Sequence, residues 1–313
     1  MRRKVIQIAN STQLVSLPRK WALQHGIKKG DELEIEDYGN KLTVSTEKTA
    51  ETKPVEIDVT ELDRSSIIFL IRGLYKKGYD EIKITWNKPV TTHFRVKQDV
   101  KIITAIHTEV HRLTGMEIVQ QKENFCILKA ISTPSDKELD SIIRRTFILL
   151  DDAVKDLIEG ARNNDQSLIE TICEEKHDTL TKFVSYSLRI LNKIRKEDLN
   201  THILYHIIAN VDKLTDLIKN CGRELLGYDA KLRKETMLLL DKMYNSFALY
   251  HELFYKFRFE TVRKLTENKE LVATELSAVS HKLPPQEILL LCTLHQALEL
   301  QRDLMESRMA MEF

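Results

Sequence analysis

Residues 17–36 read LPRKWALQHGIKKGDELEIE, and the first domain is read outward from them. Pro18 fixes a helix-compatible φ and opens a short helix through Gln24. Gly26 and Gly30 punctuate the chain, Leu33-Glu34-Ile35 resumes strand alternation, Tyr38-Gly39-Asn40 turns, and Leu42-Thr43-Val44 returns. Upstream, Lys4–Ile8 and Leu14–Leu17 are short β-like runs around turn-prone Asn10-Ser11-Thr12. Residues 1–48 are therefore expected to run strand, strand, short helix, strand, strand. So few short strands cannot close a core alone, which calls for a second chain. The polar stretch Ser45–Pro54 reads as a linker.

Charge separates this head from the rest. The chain of 313 residues has 48 Lys and Arg against 47 Asp and Glu, a formal net charge of +1. The first thirty residues hold seven cations, Arg2, Arg3, Lys4, Arg19, Lys20, Lys28 and Lys29, and no acid. A local cluster of this kind suits a phosphate backbone, from which each neutralised phosphate releases counterions. The order and spacing of Leu-Pro, Gly-Ile and Gly-Asp over about 45 residues resembles the AbrB/SpoVT/MazE swapped-hairpin DNA-binding family. The resemblance implies a homodimer in which two chains interleave their hairpins into one barrel and basic residues reach DNA. In some relatives the fold serves dimerisation or toxin neutralisation instead. Ala22 stands where that family usually carries a basic residue.

Residues 55–131 predict a small α/β module. Val55–Val59 and Ile82–Trp86 are strands, Ser65–Lys77 is a helix ended by Gly78, and Ile102, Ile103, Ile106, Val110 and Leu113 mark a second helix closed by Gly115. Met116–Val119 and Phe125–Leu128 form a hairpin around Glu123-Asn124. Residues 135–313 predict six long helices, the fourth the longest, with breaks near Asn163-Asn164, Arg195-Lys196, Gly227-Tyr228, Asn268 and Leu283-Pro284-Pro285. Asp165 and Asp198 stand where caps would open helices. Stripes such as Ile203, Ile207, Val211, Leu214, Ile218 and Leu291, Leu294, Leu298, Met305 need partner helices, so a bundle of two three-helix units is expected. The fold class is multi-domain α+β: a swapped-hairpin barrel, an α/β module and an all-α bundle.

The bundle carries acids four apart, at Asp136/Asp140, Asp152/Asp156, Glu174/Asp178, Asp212/Asp216 and Glu299/Asp303. Such pairs share a helix face. They read either as solvated faces or as carboxylate clamps for a cation. Asp212-Lys213-Leu214-Thr215-Asp216 and Glu299-Leu300-Gln301-Arg302-Asp303, with Glu174 through Asp178, resemble the PhoU family of phosphate-uptake regulators over about 175 residues. That family commonly writes Glu-Arg-Ile-Gly-Asp, and both copies here lack the Gly. The second middle helix offers Glu267, Glu270 and Glu275 without a matching pair. The resemblance implies regulation of phosphate uptake through a phosphate transporter or sensor kinase. It also implies a divalent, iron or zinc ion on Asp212, Asp216, Glu299, Asp303, Glu174 and Asp178.

Other chemistry is sparse. His107/His111 and His202/His206 share helix faces but lack the Glu of a zincin. No Gly-rich phosphate loop, nucleophile elbow or Cys–His pattern occurs, so no enzyme is expected. Cys126, Cys173, Cys221 and Cys292 are too scattered for a zinc finger or a disulfide scaffold. With no signal-like or membrane-spanning segment, a cytoplasmic protein is expected. Phe247, Tyr250, Phe254, Tyr255, Phe257 and Phe259 read as the packing face of one helix. Two functions follow as expectations: a DNA-binding, phosphate-responsive regulator, or an adaptor that dimerises through its head and never touches DNA.

Overall fold

The computed structural model describes residues 2–8, 12–37, 39, 42–46, 54–132, 134–193, 199–228 and 230–313. The turns expected at Asn10-Ser11 and at Tyr38 and Asn40, most of the Ser45–Pro54 linker, the break at Arg195-Lys196 and the cap at Asp198 lie outside them. The chain forms two compact units, Met1–Thr52 and Lys53–Phe313.

In the first unit β1 (Val5–Ile8) pairs antiparallel with β2 (Thr12–Val15), α1 (Arg19–Gln24) follows, and β3 (Glu34–Asp37) pairs antiparallel with β4 (Leu42–Ser45). Pro18 is the N-cap of α1, and Gly26 beyond it takes φ +65°, a left-handed conformation that glycine adopts without steric cost. The expected barrel is not closed within one chain: the two hairpins are separate two-stranded sheets. The reason is visible in exposure. Val5 is 59 % exposed, Ile6 55 %, Ile8 53 % and Val15 59 %, so successive residues of β1 leave both faces open. No described side chain of this unit is buried.

The second unit begins with β5 (Val55–Asp58), α2 (Arg64–Lys77) and β6 (Glu81–Thr85). β5 and β6 are parallel, with α2 as their crossover. Asp63 caps α2 by accepting from the Ser65 and Ser66 amides (3.3 and 3.0 Å), and Gly78 ends it in the left-handed region at φ 101°. After α3 (Ile102–Val110), the hairpin of β9 (Met116–Gln121) and β10 (Phe125–Ala130) completes a sheet of order β5-β6-β10-β9. A further hairpin, β7 (Val90–His93) with β8 (Gln98–Lys101), was not expected. Its segments alternate poorly between apolar and polar residues, and it turns at Lys97, a non-glycine with φ 53°.

The helical region has six arms among the described residues. They are α4 (Leu139–Asn163), the bent arm of α5 (Gln166–Thr171) and α6 (His177–Lys193), α7 (Leu199–Leu226), α8 (Lys234–Tyr255), α9 (Phe259–Val279) and α10 (Pro285–Ala310). Like packs with like: the first arms of the two halves touch (α4 with α8), as do the third arms (α7 with α10). Two expectations are corrected. Among the described residues the longest unbroken α-helix is α7, the third arm, with 28 residues, whereas the fourth has 22. The break placed at Asn268 falls instead at Lys256–Arg258, where the backbone is extended. Asn268 lies inside α9 and donates to Lys242 O (2.8 Å) and Ser246 Oγ (2.6 Å) of α8, so it joins helices rather than ending one. At the true break Arg308 donates to the freed Phe254 carbonyl (2.9 Å) and lies over the Phe257 ring. The six aromatics therefore straddle α8, this break and the start of α9.

One continuous buried core runs from Val59, Ile67, Ile82, Ile84 and Leu128 of the module to Val184, Val211, Leu214, Leu291 and Leu304 of the bundle. The joint is made by Arg189 of α6, 1 % exposed. It donates to Tyr75 O (2.9 Å), Tyr79 O (2.8 Å) and Asp80 Oδ1 (2.5 Å), with its guanidinium over the Tyr75 ring.

Candidate functional site

The seven expected DNA contacts lie in the first unit. Arg2, Arg3 and Lys4 lead into β1, Arg19 and Lys20 form the first turn of α1, and Lys28 and Lys29 follow Gly26 in the turn before β3. All seven are exposed, and none has an ion-pair partner among the described residues. Asp31, the first acid in the chain, is spent on its own turn, accepting from the Lys28 amide (2.7 Å). Cations left unneutralised in water remain available to a polyanion.

The carboxylates lie in the second unit, and the structure treats them unequally. Asp212 and Asp216 share one face of α7, as their spacing requires. That face meets the α/β module: Lys76 of α2 donates to Asp212 (2.9 Å), and Arg112, just after α3, donates twice to Asp178 Oδ2 (3.0 and 2.7 Å). Arg72, bidentate on buried Glu109 at 2.6 and 2.9 Å, adds positive charge beside Asp212 and Asp216.

His177 joins Asp178 to Asp216. Its Nδ1 lies 3.2 Å from Asp178 Oδ1 and its Nε2 3.1 Å from Asp216 Oδ1. Lys219 reaches both the same Nε2 (2.6 Å) and Asp216 (3.2 Å). Burial works against the charged form of Asp216, but the His177 contact and the Lys219 charge outweigh it and hold the carboxyl well below its ordinary value. Asp178 is likewise lowered: burial opposes ionisation, while His177 and Arg112 favour it.

A single π turn, Ile172–Lys176, precedes His177. It sets the phase of α6 that brings His177 and Asp178 against α7. Glu174 lies within this turn and is exposed. Glu299 accepts from Lys269 (2.9 Å), whereas Asp303 is exposed without an ion pair among the described residues. Of the six residues proposed as metal ligands, only Asp178, Asp212 and Asp216 come to one face, and each is met there by a Lys or Arg. Asp178, His177 and Asp216 run in a line through the imidazole, so their atoms do not converge on a point. Among the described residues no group of three or more His, Cys, Asp or Glu is arranged to hold a metal ion. The donor set fits an ion-pair network better than a metal centre. His107 contacts Gln121 (3.0 Å) and His206 contacts Asn210, each within its own surface. Reasoning from the sequence missed His177, Lys76 and Arg112. Only His177 had a local signal, its place beside Asp178.

No described helix is long and apolar enough to cross a membrane. No curated protein and no solved structure matches the chain. A family model does match its head: residues 6–52 correspond to the family described as antidote-toxin recognition MazE, bacterial antitoxin. The match includes Arg19, Lys20, Lys28 and Lys29 and begins after Lys4, so the first unit is similar to bacterial MazE antitoxins, with three further cations ahead of the similar region.

Proposed function

We propose that the protein is a non-enzymatic, homodimeric regulator that grips DNA through its basic head. One observation carries this reading: seven exposed, unneutralised cations stand on a unit whose apolar strands are uncovered within one chain. A partner hairpin would bury those strands and double the positive surface. The test is anisotropy binding of the full chain to duplex DNA across a salt series. Log affinity should fall steeply and linearly with log salt, by roughly 0.9 per phosphate neutralised. Replacing Arg2, Arg3 and Lys4 by Ala should flatten that slope. Affinity indifferent to salt would count decisively against DNA contact.

In the finer reading, the helical unit reports phosphate status to the head and meets a phosphate transporter or sensor kinase. Its support is the likeness of the six-arm order and the Asp212/Asp216 and Glu299/Asp303 motifs to phosphate-uptake regulators. Its test is occupancy of bound DNA in phosphate-starved and phosphate-replete cells, and equal occupancy removes phosphate from the account. A second reading, an adaptor that dimerises and docks a protein partner without DNA, draws on the antitoxin match. It requires the Arg2/Arg3/Lys4 replacement to leave regulation unchanged.

A further inference from the structure

The two halves of the bundle differ at one buried position. In the first third-arm motif Leu214 follows Asp212 by two residues and is fully buried in the core. At the equivalent place in α10, two residues after Glu299, stands Gln301, 4 % exposed. Neither its Oε1 nor its Nε2 has a hydrogen-bond partner among the described residues. A buried carboxamide left unmade is costly, and native cores rarely keep one. Gln301 also lines a cavity of about 270 Å³ between α8, α9 and α10, several times the volume of one water. The first half fills the corresponding position with Leu, whereas the second leaves space and presents an acceptor and two donors to it.

The walls narrow the choice of occupant. Leu265, Leu298 and Met305 supply an apolar surface suited to a flat ring, with a polarizable sulfur. Ser246, which accepts from Asn268 (2.6 Å), keeps an O–H to donate. At the rim, Lys269 is held between Glu299 (2.9 Å) and Glu270 (3.4 Å), while Arg302 has no ion pair among the described residues. A planar amide pairs best with an edge carrying an adjacent donor and acceptor, as a nucleobase does. An unpaired guanidinium suits a phosphate.

We infer that this cavity is a binding site for a small nucleobase-bearing phosphate of mononucleotide size, its base edge on Gln301 and its phosphate at Arg302. The site belongs to the helical unit and stands whether or not the head binds DNA. The test is calorimetric titration of the full-length protein with each of the four common nucleoside 5′-monophosphates. At least one should bind, and its affinity should fall about tenfold or more in Gln301→Leu, a bidentate pair being lost. Arg302→Ala should weaken the same nucleotide more than its unphosphorylated nucleoside. Gln301→Leu copies the residue of the first half, so a melting temperature at or above the parent's should accompany the lost binding and separate it from misfolding. If no monophosphate binds, if Gln301→Leu binds as well as the parent, or if only a single-stranded trinucleotide binds, the inference is wrong.

Discussion

At the scale of single residues, the module is fastened to the bundle by charge buried where water cannot relieve its loss. Arg189 satisfies two backbone carbonyls and Asp80 at once, with its plane on Tyr75. Arg189→Met removes the charge but strands those carbonyls, and should lower unfolding free energy by about 3 kcal/mol, read from urea midpoints. Asp178 and Asp216 make stability depend on pH with a definite sign. Folding lowers both carboxyls from the ordinary 3.8, so the unfolded chain takes up protons first as pH falls. Their contribution is complete above about pH 5 and drains away as pH drops through about 4 and below. Because Asp216 is 47 % exposed, the effect per group is modest, about 1 kcal/mol after solvent screening. Asp216→Asn should therefore show a flatter acid limb than the parent in urea midpoints measured from about pH 6 down to pH 3.

At the scale of elements, most of the fold was legible because its signals are local. Pro18, Gly78 and Asp165 fix helix ends by local chemistry alone, and the Ile207–Ile218 stripe buries as its period requires. The candidate site was only half legible, for two physical reasons. Pairing Glu174 with Asp178 assumes 3.6 residues per turn, and the π turn at Ile172–Lys176 breaks that period where it matters. Two of the cations that answer the carboxylates, Lys76 and Arg112, lie in another module, 136 and 66 residues from their partners, and only tertiary packing brings them there. The π turn itself rests on close approach. A Cβ on Gly222 of α7 would come 2.6 Å from Cys173 Sγ, inside any real contact. Gly222→Ala should cost about 1–3 kcal/mol by overpacking, beyond the small gain alanine brings to a helix. The expected readout is a lower thermal midpoint with loss of the Arg112–Asp178 contact. Cys173→Ala in the same chain should restore much of the stability, because it clears the space.

For the whole molecule, the first unit poses a problem that a single chain does not solve. Two-stranded hairpins are marginal in water on their own, and here their apolar side chains are uncovered on successive residues of β1. The 261 residues from Lys53 onward carry a continuous core and need no such help. The two units should therefore respond differently to one substitution. In a lone chain Ile6, already 55 % exposed, would tolerate Asp at the small cost usual for a surface position. In a dimer built by interleaved hairpins, two buried carboxylates would face apolar neighbours, a penalty of several kcal/mol that opposes association. Sedimentation equilibrium should give the parent a mass twice 36.5 kDa and Ile6→Asp a mass of 36.5 kDa. Far-ultraviolet circular dichroism should remain strongly helical in both, because every described helix but the six-residue α1 belongs to the second unit. DNA affinity should fall with the dimer even though no cation has been touched. A parent that sediments at 36.5 kDa at micromolar concentration would show that the head closes without a twin and would remove the dimer from the mechanism.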